Sequence, residues 1–286
     1  MQVQTPAIRH LPIPPLQLGE CPVWDAPANA LWFEDITAPV LYRLDLGAQT
    51  LKHWAMPAAI GSFGLCTDGR LIVALRTGIH FFDPASGQFS LIAHPEKANP
   101  HTRLNDGKVG PDGRFWVGSM DDRPQRDPIA HLFRIDHDGT CTQMLDGLKV
   151  SNGLAWSRDG HTLFHSDSRH QWVQTFDYDL AQGTLTNRRE LCSLGEEQGR
   201  PDGAAMDMEG FYWSAGVTAG CLNRIGPDGK IERKLHLPMP APTMPCFGGP
   251  EMKTLFVTSL AKDDQPGTLV ALDMDVPGVQ VGRFGP

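Results

Sequence analysis

Residues 199–215 read "GRPDGAAMDMEGFYWSA". Gly203 to Met206 is a short, small and apolar run, Asp207 to Gly210 has the composition of a turn, and Phe211-Tyr212-Trp213 is a run of strand-preferring aromatics. The stretch therefore reads as a hairpin, with one feature that a hairpin does not explain: a carboxylate, Asp202, at the mouth of its first, buried strand. The same phrase recurs along the chain as "CPVWDAPANALWFED" from Cys21, "GLCTDGRLIVAL" from Gly64, "GKVGPDGRFWVGSM" from Gly107, "GLAWSRDGHTLFHSD" from Gly153 and "GGPEMKTLFVTS" from Gly248. Anchored on the middle of each second run, the repeats fall at Trp32, Ile72, Trp116, Phe164, Tyr212 and Phe256, spaced by 40 to 48 residues. Behind each comes a second strand–turn–strand phrase, for example "LYRLDLGAQTLKHW" from Leu41 and "LFRIDHDGTCTQM" from Leu132.

Four antiparallel strands in roughly 45 residues, repeated six times, predict a six-bladed β-propeller. A single blade cannot bury both of its faces, whereas blades packed around an axis bury them all. The alternative, a β-sandwich, would leave the doubled sixfold spacing as coincidence. The whole chain, 1–286, is expected to be one domain, and "AIRHL" and "VQVGRF" are the segments expected to share strands between the termini. The anchor aromatics, Trp32, Trp116 and Trp213 among them, are expected in the blade cores.

The composition suits this reading. Glycine and proline total 30 and 24 and are spread as strand punctuation. A net charge of −8 without a Lys/Arg block argues against nucleic acid or an anionic membrane as partner. No apolar stretch approaches the ~20 residues of a membrane span, and the N-terminus lacks a basic start with a long apolar run, so a cytoplasmic protein is expected. The six cysteines show no zinc spacing, and reduced thiols are expected. No Gly-x-Ser-x-Gly, helix-paired His motif or phosphate loop occurs, so neither a serine nucleophile nor a nucleotide is expected.

In a propeller the first strand of each blade lines the central channel, and residues just before those strands gather at one end. Counting back eight from the turn glycines Gly113, Gly160 and Gly210 gives Asn105, Asn152 and Asp202. The corresponding acid of the first blade is Glu20. The second blade gives Gly61, and the last gives the region of Pro245 and Cys246. Each position alone suits a turn or cap, but turns do not require acids and amides at one offset in several repeats. Carboxylates held together repel unless a cation or a shared proton intervenes, and hard divalent ions prefer oxygen donors. A divalent metal held by Glu20, Asn152 and Asp202 is therefore expected at one end of the channel, with Asn105 near the metal or on a substrate. "HSDSRH", residues 165–170, reads as loop polarity, and "MDDRPQRDP", 120–128, as a solvated loop or a lid.

On "LGECPVWD", "RLNDGKVGPDGRFWVGSM", "SNGLAWSRDGHTLFHSDS", "RPDGAAMDMEGFYWSA" and "PCFGGPEMKTLFVTS", the chain resembles the SMP-30/gluconolactonase/regucalcin-like family over nearly its whole length. The resemblance implies a six-bladed propeller that hydrolyses sugar (aldono-) lactones with one divalent cation. It implies Glu20, Asn152 and Asp202 as metal ligands and Arg103 and Asn105 as substrate contacts. The family often carries a substrate-contacting acid shortly after the Gly-Ser/Thr-Met segment. Here "GSM" is followed by Asp121-Asp122-Arg123, with Arg123 at the place of that acid and Asp122 as the candidate in its stead. Asp202 is expected to serve as both ligand and general base. The identity of the metal (Ca²⁺, Mg²⁺, Mn²⁺, Zn²⁺ or Fe²⁺), the sugar, and the choice between a monomer and a weak homo-oligomer are left open. The alternatives are a non-catalytic, cation-stabilised propeller that binds a protein or small ligand, and an esterase acting on non-sugar lactones.

Overall fold

The computed structural model describes residues 1–285. After two short N-terminal strands, β1 (Gln2–Gln4) and β2 (Ile8–His10), the chain forms six sheets in sequence around a central channel. Blade one is β3 (Gly19–Asp25), β4 (Ala30–Asp35), β5 (Val40–Asp45) and β6 (Thr50–Ala55), and blade two is β7 (Ile60–Leu65), β8 (Leu71–Leu75), β9 (Gly78–Asp83) and β10 (Gln88–Ala93). Blade three is β11 (Thr102–Val109), β12 (Phe115–Asp121), β13 (Ala130–Ile135) and β14 (Cys141–Leu148), and blade four is β15 (Ser151–Trp156), β16 (Thr162–Asp167), β17 (Trp172–Asp179) and β18 (Thr184–Ser193). Blade five is β19 (Pro201–Met206), β20 (Tyr212–Gly216), β21 (Cys221–Ile225) and β22 (Ile231–His236), and blade six is β23 (Pro242–Gly248), β24 (Thr254–Ser259) and β25 (Leu269–Asp273). All six sequence anchors lie on the second strand of their blade. Among the described residues no helix is long and apolar enough to cross a membrane.

Burial follows the radial order of the strands. In blade one every residue of β4 is buried, whereas no residue of β6 is more than half-buried. The inner strands are covered on both faces by neighbouring blades, so they read as continuous apolar runs. The outer strands face water between the blades. The core is accordingly six apolar clusters, each lying between consecutive blades. Trp32 packs with Phe63 and Phe82 between blades one and two, Trp116 with Trp156 between three and four, and Trp213 with Phe247 between five and six. Fully burying one such side chain contributes about 1.5–3 kcal/mol.

Ring closure follows only half of the expectation. Ile8–His10 pairs antiparallel with β25 and completes blade six, as the sequence suggests for "AIRHL". Gln2–Gln4 adds a fifth strand, parallel, outside β22, so blade five departs from the four-strand antiparallel pattern. The "VQVGRF" segment is not a blade strand. It runs across one end of the channel, where Val279 N–H donates to Met206 O and Phe284 N–H to Leu65 O, both at 2.8 Å. The sequence suggests a strand shared between the termini, but the partners of this segment belong to different blades.

The turn of the opening stretch also contains a buried charge. Asp207 is inaccessible and accepts from the N–H groups of Glu209 and Phe211 at 3.0 Å and from Trp213 Nε1 at 2.9 Å. Arg224, buried beside it, donates through Nε at 2.8 Å and lies over the Phe211 ring. Breaking a buried pair strands its partner. Arg224 also reaches Glu209 and Glu232, so Asp207→Ala is expected to lose about 3 kcal/mol, the low end for such pairs. Urea unfolding at pH 7 measures this, and a loss below about 1 kcal/mol, the worth of an exposed pair, would refute the assignment.

Candidate functional site

The first strand of every blade carries a register irregularity at one level of the channel. Two residues go unpaired between Glu20 and Val23, Leu104 and Gly107, Asn152 and Ala155, Pro201 and Ala204, and Pro242 and Pro245. In blade two the slip is a single residue, Gly61. Bulges of this kind re-aim side chains and release them from the ladder. The candidate residues all sit at this level, but not at one strict offset. Glu20 and Asn152 are the last paired residues before the slip, whereas Asn105 and Asp202 are the first within it. The count to Pro245 and Cys246 in blade six is corrected likewise: its bulge is Thr243-Met244. Thr243 Oγ1 is committed to Gly19 O at 2.5 Å. Blade two contributes no side chain because a Cβ on Gly61 would lie 2.4 Å from Leu104 O. In blade four the bulge begins with Gly153 at φ +63°, and a Cβ there would meet Tyr212 Oη at 2.2 Å. Blade one places a non-glycine, Cys21, at φ +47° in the matching position.

The bulges bring together Arg103, Asn105 and Asn152 in one hydrogen-bonded chain. Arg103 donates to Asn105 Oδ1 at 2.9 Å. Asn105 Nδ2 donates to Ser151 O at 2.9 Å and reaches Asn152 Oδ1 at 3.3 Å. Asn152 Nδ2 donates to Ser168 Oγ at 2.7 Å, and that hydroxyl donates to Pro201 O at 2.6 Å, just before Asp202. Ser168 thus fixes the amide so that Asn152 Oδ1 remains an acceptor on the Asn105 side. Asp122 lies at the same mouth, 3.4 Å from Arg103 Nε and 2.6 Å from Arg76.

Across the channel the site is acidic. Burial, and then the Asp202 and Asp106 carboxylates, push Glu20 well above the usual carboxylate range. Burial and then Asp106 push Asp202 up to about 8, against the lowering pull of the Gly203 N–H and Arg103. Asp106 is itself raised by burial. Its Oδ2 accepts from Leu154 N–H at 3.3 Å, while its buried Oδ1 has no partner. Glu34, paired across the ladder with Glu20, is inaccessible with both oxygens unpartnered, and burial raises it strongly.

Two parts of this site escape the sequence reading. Asp106 stands one residue beyond the counted Asn105 and is not among the positions singled out there. "HSDSRH" is not loop polarity: His165, Ser166 and Asp167 are inaccessible and end β16 beside the start of β15. Antiparallel pairing returns the end of β16 to the level of Asn152, which is the signal that strand polarity alone supplies. Asp167 accepts from the N–H groups of Lys149, Arg169 and His170 at 2.7 to 3.0 Å. His165 contacts Ser151 Oγ at 2.8 Å, and burial pushes it down to about 4, so it is neutral. In the 120–128 loop Asp121 is likewise a buried anchor. It accepts from Arg123 Nε at 2.8 Å and Asp127 N–H at 2.6 Å, and Arg123 holds it at about 2. Arg123 is therefore turned onto Asp121 and Asp127, leaving Asp122 on the channel side.

Among the described residues no three His, Cys, Asp or Glu side chains form a metal-binding group. The set Glu20, Asn152 and Asp202 counts only two such residues, its third donor being an amide. Its chemistry fits a hard divalent cation: all donors are oxygens, the carboxylates repel one another without a counter-charge, and Asn152 Oδ1 is oriented by Ser168. A cavity of about 380 Å³ lined by Lys108, Trp156, Cys246 and the 279–283 segment lies at the other end of the channel, and none of the candidate residues lines it.

Compared with known proteins, residues 18–261 match the family model described as the SMP-30/Gluconolactonase/LRE-like region. A 6-deoxy-6-sulfogluconolactonase of Pseudomonas putida is 39% identical over 277 residues, 92% of this chain and 94% of that protein. Regucalcin of Xenopus laevis is 34% identical over 248 residues, 85% of this chain and 83% of that protein. The crystal structure of a calcium-binding protein, regucalcin, from Agrobacterium tumefaciens superposes with a TM-score of 0.91 at 27% identity, covering 100% of this chain and 98% of that one.

Glu34 gives the site a measurable pH dependence of stability. A carboxyl raised in the folded state stabilises fully below its unfolded range near pH 4, and that contribution is lost as pH rises through its folded pKa. Glu34→Gln removes the loss. In chelator-treated protein the variant is expected to melt several degrees above the parent at pH 8, with the gap closing near pH 4. Scanning calorimetry at both pH values checks this, and an equal gap at both would refute it.

Proposed function

Because the chain belongs to the SMP-30/gluconolactonase/LRE-like family, we propose that it is a lactonase that opens a sugar lactone to the corresponding hydroxy acid, using one divalent cation held by Glu20, Asn152 and Asp202. The observation that carries the proposal is the convergence, on the bulges of separate blades, of two carboxylates raised by burial and by neighbouring acids with an oriented amide, beside Arg103 and Asn105. A cation bound there would supply Lewis-acid polarisation of the lactone carbonyl.

The chain's own residues then do the following. Arg103 presents a planar fork of donors to sugar hydroxyls or the ring oxygen. Asn105, whose amide has a donor side and an acceptor side, suits a vicinal hydroxyl pair. Asp122 steadies Arg103 and offers an acceptor to a hydroxyl at the mouth. Asp202, in its ionised form, takes a proton from the attacking water as the water oxygen bonds to the carbonyl carbon. The ring carbon–oxygen bond then breaks, and the departing alkoxide takes up a proton, leaving the open acid. A positioned base is worth roughly 10²–10⁴ in rate.

The reading is tested by acid release from a panel of aldonolactones in a weakly buffered indicator assay, on chelator-stripped protein and after each divalent ion is returned. Activity is expected only with metal. Asp202→Asn is expected to lose about 10²-fold or more while unfolding near the parent's midpoint, and full activity in that variant would remove it as base. Ser168→Ala, which frees the Asn152 amide, is expected to weaken divalent-ion affinity about 10-fold, as measured by titration calorimetry. An unchanged affinity would show that Ser168 does not orient the ligand.

A further inference from the structure

The mouth of the site is ringed by arginines that its carboxylates do not balance. Arg76 follows β8 in blade two, Arg103 is the second residue of β11, Arg126 lies in the loop after β12, Arg169 follows β16, and Arg200 immediately precedes β19. Three of them share one carboxylate: Asp122 lies 2.6 Å from Arg76, 3.4 Å from Arg103 and 3.9 Å from Arg126. Arg169 directly follows Ser168, the residue that holds Asn152, and Arg200 stands two residues before Asp202. Among the described residues neither Arg169 nor Arg200 forms an ion pair within 4.0 Å. Asp121 and Asp127 are taken by Arg123, and the exposed Glu196 and Glu197 of the Arg200 loop join no ion pair.

The arginines also face one another. Burial and then the neighbouring Arg200 and Arg126 disfavour the charge on Arg169, and Arg126 and Arg76 act in the same sense on Arg103. Arg103 is drawn inward, where its charge favours the ionised Asp202 and Glu34. The outer four are left with a single shared acid. In a chain with 33 acids to 25 Lys and Arg, this local excess of guanidinium is not a matter of composition.

We propose that the site takes a lactone bearing an anionic group, a phosphate, sulfonate or carboxylate, at the end of the sugar farthest from the lactone carbonyl, with Arg169, Arg200 and Arg126 receiving that group. The inference rests on the lactonase reading above and names its substrate class. With the carbonyl at the level of Glu20 and Asp202, the far end of an extended sugar points out through the mouth to the arginine ring. Guanidinium forks match the oxygens of such anions bidentately, and the anion supplies the counter-charge that the ring lacks.

The test compares D-glucono-1,5-lactone with its 6-phosphate, its 6-sulfonate and the corresponding glucaro-lactone on the metal-supplemented protein. At least one anionic lactone is expected to exceed the neutral one in kcat/KM by about 10-fold or more. The advantage should shrink in about 0.5 M potassium chloride, and which arm wins identifies the anion. The double variant Arg169→Ala/Arg200→Ala is expected to lower the anionic-to-neutral ratio about 10-fold through KM. Equal or better use of the neutral lactone, or a proportional loss on both in the variant, would overturn the proposal. If no lactone is opened, the lactonase reading fails by itself. Calorimetric binding of 6-phosphogluconate then decides the anion site: binding weakened by the double variant upholds it, and no binding overturns it.

Discussion

Each blade presents two apolar faces and has no second layer of its own to cover them. Closing a ring is the one arrangement that covers all twelve faces at once, and the six apolar clusters lie at the six junctions where this happens. The ring leaves a channel lined by the first strand of every blade. Those strands are buried on both faces, so a polar group among them is costly unless it is partnered. The site occupies this channel, and its buried acids are tolerated because the surrounding junctions supply the stability.

The bulges reconcile the two demands. A regular ladder would turn alternate side chains into the blade junctions and give the channel only a fixed half of each strand. Slipping the register at one level releases Asn105 and Asp202 from pairing and lets Glu20 and Asn152 turn toward the same space. The slip is supported from behind: Tyr212 Oη donates to Gly153 O at 2.7 Å, and Ser168 ties Asn152 to the strand that carries Asp202. The acids at the ends of second strands, Asp35, Asp121 and Asp167, anchor the adjoining loops by accepting backbone N–H groups. Two kinds of carboxylate therefore coexist: those saturated with donors, and those of the channel that lack them.

The propeller was legible because its signals are local. Hairpin turns place Gly69, Gly113, Gly160 and Gly210 at positive φ, and Asn29 and Met252 take that conformation in blades one and six. The turn spacing therefore reports the blades directly. Counting back from those glycines reached Asn105, Asn152 and Asp202 because the intervening strand lengths are nearly constant. The count could not see a one-residue slip, so it missed the different standing of Asn152 and Asp202 and misplaced blade six. Asp106 stands one residue beyond the position that the count reached. The buried end of β16 was hidden because a run of Ser, Asp and His looks like solvent-facing polarity until antiparallel pairing returns it to the level of Asn152. The "VQVGRF" segment alternates like a strand, yet it meets several blades rather than one.

The six bulges make the channel a set of sockets whose contents are largely independent of the scaffold. Four hold the Glu20, Asn105, Asn152 and Asp202 side chains, and a change in one leaves the ladders of the other blades untouched. Blade two is closed to elaboration, since the Leu104 carbonyl occupies the space that a side chain at 61 needs. Blade six is spent in another way: its socket holds a buried threonine whose hydroxyl ties Gly19 O at 2.5 Å and Thr258 Oγ1 at 2.9 Å. New coordination chemistry, by drift or by engineering, therefore has to rework one of the four occupied sockets, because the other two are already spent on joining blades to their neighbours.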